Sequence, residues 1–542
     1  MSLKRFGTLL GVGMIVFAGV AAEPAGAENV LRWASATEPL TFDPHAAAHQ
    51  PTFAAHIQVY ERLVDFNSRY EIEPALAVAW KLIDATTWQF DLRPDVRFHD
   101  GTPFTSEDVV FSLKRAISKT SDFKEYVPSI AAAKAVDDHT VRITTKVPDP
   151  ILPPQLSQIF IMSKRWATEH DALLPADYGD KTIAYGERHA NGTGPFKLVS
   201  FTPGAGTVLA RNPDWWGLAQ NPHNLDRIVH TVIKDPAERL QALLSGKVDF
   251  VSDPPLANLN QIERAPDLKL ERTNELRTIF LGLDQGRREL RSSNIKGRNP
   301  FADRRVRQAV YQAIDEEAIR NSVMHGFAVP AGIIIQPGIN GYARELDTRL
   351  PFDPDAARAL LADAGYPDGF DVTLDCPSGR YINDEAICRA VAAMLGEVGI
   401  RVTVAARPMR EHFPRIANRE TDFYMLGWGA GTFDSSDYFG YLIRSDAPYN
   451  ATGYANPEVD HLIGAIGTEL ETYARDAMIE KVWKAVRHDI VYVPLHDQVI
   501  VWAMRDELQL PVDAANVPRF RLARLNPPGT GQIAQPNPAP PQ

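Results

Sequence analysis

The sequence predicts an α/β protein built from two or three layered domains. Predicted strands and helices alternate along nearly the whole chain, the pattern of layered α/β folds. The 542 residues exceed what one hydrophobic core serves, about 250–300 residues. Composition is ordinary for a globular protein, 44% hydrophobic and 23% charged with 41 Pro and 35 Gly, which excludes wholesale disorder, collagen and coiled coil. The formal charge of −11 argues against nucleic acid and anionic membrane surfaces as partners, because both need a basic footprint.

The first 27 residues read as an export signal rather than as part of the fold. Lys4 and Arg5 make a short basic start, residues 6–22 carry no charge, and Ala25-Gly26-Ala27 is a small-x-small cleavage site. The competing reading, a membrane anchor, is opposed by the length of the apolar run, just short of the roughly 18 residues that span a bilayer. Cleavage before Glu28 removes two positive charges and one negative, taking the net charge from −11 to −12. No cysteine lies near the cleavage site to carry a lipid, and no later segment is apolar enough to span a membrane. The chain is therefore expected in a soluble, exported form.

The elements follow in order. Residues 30–34 alternate like a short strand. Residues 86–98 read as strand, Pro94 turn and strand, and Asp100-Gly101-Thr102-Pro103 is a turn. Thr105 or Ser106 caps a helix with Glu107 and Asp108 in its first turn and Val109, Val110, Phe111 and Leu113 on its apolar face. A strand at 140–147 ends in Pro148-Asp149-Pro150, and 155–190 has no clear boundary. Asn191-Gly192-Thr193-Gly194-Pro195 is a second turn, followed by strands at 196–201 and 207–211. A helix at 236–246 and strands at 248–251 and 277–283 come next. Helices are predicted at 303–324, 354–364, 383–398, 456–466 and 471–488. Strands are predicted at 401–405 and 422–426, and extended runs at 490–495 and 499–504. The Pro- and Gly-rich tail 527–542 is expected to be disordered.

Five blocks make the sequence recognisable. The longest is Phe90-Asp91-Leu92-Arg93 with Val96-Arg97-Phe98-His99-Asp100-Gly101-Thr102-Pro103-Phe104-Thr105-Ser106-Glu107-Asp108-Val109-Val110-Phe111-Ser112-Leu113. It resembles the signature of the family 5 solute-binding proteins, the exported peptide, dipeptide and nickel receptors of ABC importers. Thr41-Phe42-Asp43-Pro44-His45 is similar to the family's N-terminal segment. Gly192-Thr193-Gly194-Pro195-Phe196 with Arg211-Asn212-Pro213-Asp214-Trp215-Trp216 is similar to its mid-chain hairpin. Gly427-Trp428 resembles its ligand-facing turn, and Pro494-Leu495-His496 with Trp502 its return strand. The five occur in consistent order between about residues 30 and 505. The resemblance implies the large, type II periplasmic binding fold: two lobes joined by two crossing strands. Lobe I would hold 28–278 and 499–526, with an inserted subdomain at about 61–190; lobe II would hold 279–498. Ligand binding would close the hinge between them.

The resemblance also nominates a site. Such receptors hold peptides by their ends, and a buried carboxylate is best met by a planar Arg fork. Arg380, followed by Tyr381, occupies the matching position in the segment Asp375-Cys376-Pro377-Ser378-Gly379-Arg380-Tyr381, which resembles the carboxylate-anchoring loop; otherwise Arg380 is a solvated loop residue. In the other ligand-facing segment, Trp428 is a pocket wall or a core aromatic. Its flanking Gly427 and Gly429 favour close ligand approach. Dipeptide receptors carry an amine-anchoring Asp three residues after this Trp, where this chain has Gly431. Asp434 or Asp437 would replace it, or the ligand lacks an ammonium; the competing reading of both carboxylates is turn chemistry or capping. The cysteines, Cys376 and Cys388, are either bridged, as export permits, or two buried thiols.

Other chemistry is weakly signalled. His45 and His49 are four apart and His56 follows, but no third metal ligand is fixed by spacing, and Gln50-Pro51 is read as a helix break. These histidines are therefore expected to be structural or solvent-exposed, with no metal and no cofactor. Ser121-Asp122-Phe123-Lys124 fits Ser-x-x-Lys without its partner motifs, and Gly-x-Ser-x-Gly, P-loop and His-Glu-x-x-His patterns are absent. Asp137-Asp138 is expected to be solvated. The expectation is thus a monomeric periplasmic receptor, not an enzyme, that passes a peptide or peptide-like solute to a permease and its ATPase. Three rivals stand beside it: a receptor of the same fold for a metal chelate, sugar oligomer or opine-like compound; an exported hydrolase; and a chaperone-like module.

Overall fold

The computed structural model describes residues 28–177 and 183–526. The expected signal peptide, 1–27, and tail, 527–542, lie outside the described residues. Eleven strands form one sheet that runs through both lobes. From one edge the order is Ile400–Pro408, Phe370–Ser378, Phe423–Trp428, Leu268–Leu283, Tyr492–Arg505, Phe250–Val251, Val30–Ser35, Arg227–Val232, Gly206–Arg211 and Phe196–Thr202, with Ala328–Pro330 paired to Tyr492–Arg505.

Two long antiparallel strands in the middle of this order cross between the lobes. The first, Leu268–Leu283, pairs through 268–274 with 499–505 of the second, Tyr492–Arg505, and through 278–282 with 492–497. Residues 275–277 fall in a register break and are skipped by the ladder. The sequence predicts two separate runs, 490–495 and 499–504, where there is one strand. Pro494 and the polar trio His496-Asp497-Gln498 interrupt the apolar pattern. Pro494 sits beside a second register shift, where a strand tolerates a missing donor. The trio is buried and partnered: His496 Nδ1 lies 2.6 Å from Glu316, Thr278 Oγ1 donates to Asp497 at 2.5 Å, and Gln498 donates to Glu275 at 2.7 Å. Lacking a cation, the Asp497 carboxyl is pushed well above its ordinary pKa by burial.

Side-chain alternation along the strands separates the cores. In lobe II, Ile279, Leu281, Phe423 and Met425 join one cluster, while Phe280, Tyr424 and Leu426 join another on the opposite face. Lobe I repeats the arrangement, with Ile500, Trp502 and Met504 on one face and Val499, Val501 and Ala503 on the other. A separate core, spanning Leu63 to Ile161, lies between an antiparallel four-stranded sheet (Ala77–Asp84, Thr87–Leu92, Thr140–Thr145, Ile130–Asp137) and the helix Ser106–Ala116. Thr105 is the N-cap, and its N–H donates to Asp108 at 2.9 Å.

Three readings change. Gln50-Pro51 opens a helix, Gln50–Val59, rather than breaking one; Pro suits a first turn because its missing N–H would have no partner there. The helix expected at 303–324 ends at Gln312, because Asp315 accepts the Ala318 N–H at 3.0 Å and caps a new turn. The segment expected as a loop at 375–381 is half strand: Phe370–Ser378 pairs in parallel with Ile400–Pro408.

Candidate ligand cleft between the lobes

Arg380 stands just past the end of Phe370–Ser378, and two devices hold it there. Asp384, at the start of the helix Asp384–Glu397, accepts the backbone N–H groups of Gly379, Arg380 and Tyr381 at 3.3, 2.8 and 3.1 Å. The sulfurs of Cys376 on the strand and Cys388 on the helix are bonded, 2.09 Å apart. Tyr381 is buried beneath, its hydroxyl donating to Gly427 O at 3.1 Å. Its ring carries two guanidinium groups, Arg380 at 5.3 Å and Arg277 at 5.8 Å.

Trp428 ends the strand Phe423–Trp428, next to the first crossing strand. A Cβ on Gly429 would lie 2.1 Å from Leu276 O, so only glycine lets this turn pass the crossing strand. The Trp428 ring packs against Tyr441 and Tyr449. Its indole N–H is buried without a hydrogen-bond partner.

These residues face a cavity of about 460 Å³ enclosed by both lobes. Phe53, Phe66 and Phe123 form its lobe I wall, and Phe413, Trp428 and Phe433 line it from lobe II. A smaller space of about 260 Å³ adjoins it at Glu275, Arg277, Arg380 and Tyr381. Contacts between lobes bridge the cleft: Gln158 Nε2 donates to Gly431 O at 2.7 Å, and Tyr441 Oη donates to Glu125 O at 3.1 Å. Phe433 packs on Phe66 and Tyr70 at 4.2 and 5.1 Å. Its φ of 54° lies in the left-handed region, a conformation that costs a bulky residue energy and here aims it across the gap.

The charges are unevenly answered. On the lobe I side, Asp65 is surrounded by Arg62, Arg519 and Arg521, at 2.5, 3.0 and 3.1 Å. These cations hold its carboxyl well below the usual range despite burial. On the first crossing strand Arg277 pairs with Glu275 at 3.1 Å, but on the lobe II side Arg380 makes no ion pair among the described residues. Its side chain is open to the cleft, yet enough protein surrounds it that burial, then the neighbouring Arg277, lower its pKa. His49, on the opposite wall, is also lowered, by burial and then by the Arg380 charge.

The remaining predicted residues separate. Gly431 lines the cavity. Asp434 is buried and held by Arg475 at 2.7 and 2.8 Å, which keeps its carboxyl low; it is not free for a ligand. Asp437 accepts the Thr432 N–H at 2.9 Å, lies behind the lining, and is pushed up to about 6 by burial. His45 and His56 are fully buried, with ring nitrogens 2.9 Å from the carbonyls of Phe160 and Thr41. Ser121 Oγ accepts the Phe123 N–H at 3.0 Å, while Lys124 Nζ donates to the Ser121 carbonyl at 3.3 Å, as in a turn. Sequence reasoning missed Asp384, Gln158, Phe433 and the Asp65 cluster. Only Asp384 left a signal, as an acidic residue at a predicted helix start.

The sequence profile described as "Bacterial extracellular solute-binding proteins, family 5 Middle" matches residues 71–450. Heme-binding protein A of Haemophilus influenzae is 26% identical over 519 residues, covering 88% of this chain and 90% of the relative. The dipeptide-binding protein of Escherichia coli is 26% identical, over 84% of this chain and 86% of its own. Among solved structures, the ABC transporter-associated periplasmic binding protein DppA of Helicobacter pylori, in complex with the peptide STSA, superposes with a TM-score of 0.76 at 24% identity, covering 92% of this chain and 98% of that one. The two-lobed fold is thus the fold of these binding proteins. Among the described residues no helix is long and apolar enough to cross a membrane.

Proposed function

Because this chain belongs to the bacterial extracellular solute-binding proteins of family 5, we propose that it is the periplasmic receptor of an ABC importer. It takes a peptide or peptide-like solute between its lobes and presents the closed complex to a membrane permease and its ATPase subunits. Similarity along most of the chain to a protein named for dipeptides, and to a periplasmic protein solved with a peptide, supports this reading. We assign 28–278 with 499–526 to lobe I and 279–498 to lobe II. Export with cleavage near Ala27, and action as a monomer, belong to the same proposal.

One observation carries it: a cavity lined by both lobes, with a guanidinium, that of Arg380, that makes no ion pair among the described residues. A solute carboxylate supplies that counter-ion. Tyr381 backs the pair from below, and Trp428 offers an aromatic wall on the far side of Gly427. A ligand that touches both lobes in the closed state, and one lobe in the open state, shifts the equilibrium toward closure. No bond in the solute need change.

Replacing Arg380 tests the assignment. Arg380→Ala should weaken binding of carboxylate-bearing peptides by about 2–5 kcal/mol, measured by calorimetry, with the melting temperature of the unliganded protein unchanged. Equal affinity in the variant removes Arg380 from the site.

A further inference from the structure

The charge inventory of the cleft goes further than the receptor reading on which it rests. Tyrosines aside, the ionisable side chains lining the two joined spaces are, among the described residues, His49, Arg62, Asp253, Glu275, Arg277, Arg380 and Arg519. Both acids are answered by protein. Glu275 receives Arg277 at 3.1 Å and Gln498 at 2.7 Å. Asp253 lies 2.9 Å from Arg239 and accepts the Ala36 N–H at 3.2 Å. Arg62 and Arg519 are answered by Asp65. Among the described residues that line the cleft, Arg380 is the arginine left without an ion pair. Three further acids, Asp384, Asp434 and Asp437, are not among the lining residues: Asp384 accepts the Gly379, Arg380 and Tyr381 amides, Asp434 is locked to Arg475, and Asp437 accepts the Thr432 amide. The carbonyl of Gly431, an acceptor at the cavity wall, is occupied by Gln158.

We infer that the solute this cleft takes is an anion without a free ammonium: a peptide-like carboxylate whose amine is acylated or otherwise blocked. A carboxylate gains the one unanswered guanidinium. Among the described residues an ammonium entering the same space finds both lining carboxylates, Asp253 and Glu275, already paired, loses its hydration, and feels Arg380 and Arg277 as like charges. The two requirements are separable, because one concerns the acid end of the guest and the other its amine.

Gly431 is where selectivity can be reversed. A Cβ there would lie 3.5 Å from the Gln158 side chain, ordinary contact distance, so a Cβ is accommodated without moving the backbone. Gly431→Asp places a carboxylate at the wall, within the aromatic enclosure and near the mouth.

Four matched libraries of random di- and tripeptides test the inference against the full mature protein: free at both ends, N-acetylated, C-amidated, and blocked at both ends. Calorimetry and thermal shift are read together. The N-acetylated library should bind at least tenfold more tightly than the free one, and both amidated libraries should fail. In Gly431→Asp the free library should gain about tenfold and the N-acetylated library should lose affinity. If the free library binds as well as the N-acetylated one, or if Gly431→Asp leaves their ratio unchanged, the amine-free inference is overturned while the receptor reading stands. If the amidated libraries bind as well as their carboxylates, or if none of the four binds, the receptor reading falls and takes the inference with it.

Discussion

The two walls of the cleft handle charge in opposite ways. On lobe I, Asp65 is bound by three arginines, Arg62 three residues before it and Arg519 and Arg521 from the far end of the chain, and Arg519 also takes Asp513 at 2.6 Å. That wall is complete without a guest. On lobe II, Arg380 is held by its backbone and backed by a ring, but among the described residues its charge has no ion-pair partner. Burying a charge is costly unless it is paired. The lobe I wall meets that cost within the protein, whereas Arg380 on the lobe II wall is open to the cleft and meets it only when a guest covers it. A network closed on itself serves the fold, and a cation left open serves binding.

The strongest way to break this contrast is to unbalance the lobe I wall. Asp65→Asn should cost about 3–5 kcal/mol of stability, the penalty for removing one partner of a buried ion network, measured by denaturant unfolding. A variant as stable as the parent would show that this wall, too, tolerates an open charge.

The strap that positions Arg380 offers a smaller effect. The bond between Cys376 and Cys388 closes a loop of 12 residues. Replacing both with serine should lower stability by about 2–3 kcal/mol by the loop-entropy account. It should also weaken carboxylate binding, because it loosens the strand end that carries Arg380, while leaving the Asp65 wall unchanged. Loss of stability with full affinity would assign the strap to the fold alone.

The smallest effect sharpens the picture at His49. Unliganded, its pKa is lowered by burial and by the Arg380 charge, so the ring is neutral at pH 7. A bound anion offsets that charge and raises the His49 pKa toward its ordinary value of about 6.5. Binding then takes up protons, and affinity rises as pH falls from 7.5 toward 5.5, by less than tenfold because one partly shifted group is involved. Calorimetry in buffers of different ionisation heat reads the uptake, and His49→Gln should abolish it. Affinity that weakens over this range would place the guest's charge elsewhere.

Much of the frame was legible in the sequence because local signals agree with burial. The helices Pro354–Asp363 and Thr472–Asp489 start at acidic caps, Asp353 and Glu471, which accept their first N–H groups. The strands Ala77–Asp84 and Ile130–Asp137 were missed for a physical reason. Most of their side chains are exposed, and the second is rich in alanine, so alternation is weak and only pairing with neighbours makes them strands. The site divides similarly. Arg380, Tyr381, Trp428 and Gly431 sit in recognisable segments. The Asp65 cluster joins residues more than 450 positions apart, and no local pattern announces it. Asp434 was a reasonable candidate until Arg475, 41 residues away, claimed it.

The register break in the first crossing strand has a mechanical corollary. The residues the ladder skips are Glu275, Leu276 and Arg277, and all three line the cavity. Leu276 spends its amide on Ala514 O instead. The pivot on which one half swings against the other is therefore also part of the guest's seat. A guest in this seat bears on the axle itself, so any substitution there that retunes preference retunes the ease of the swing as well.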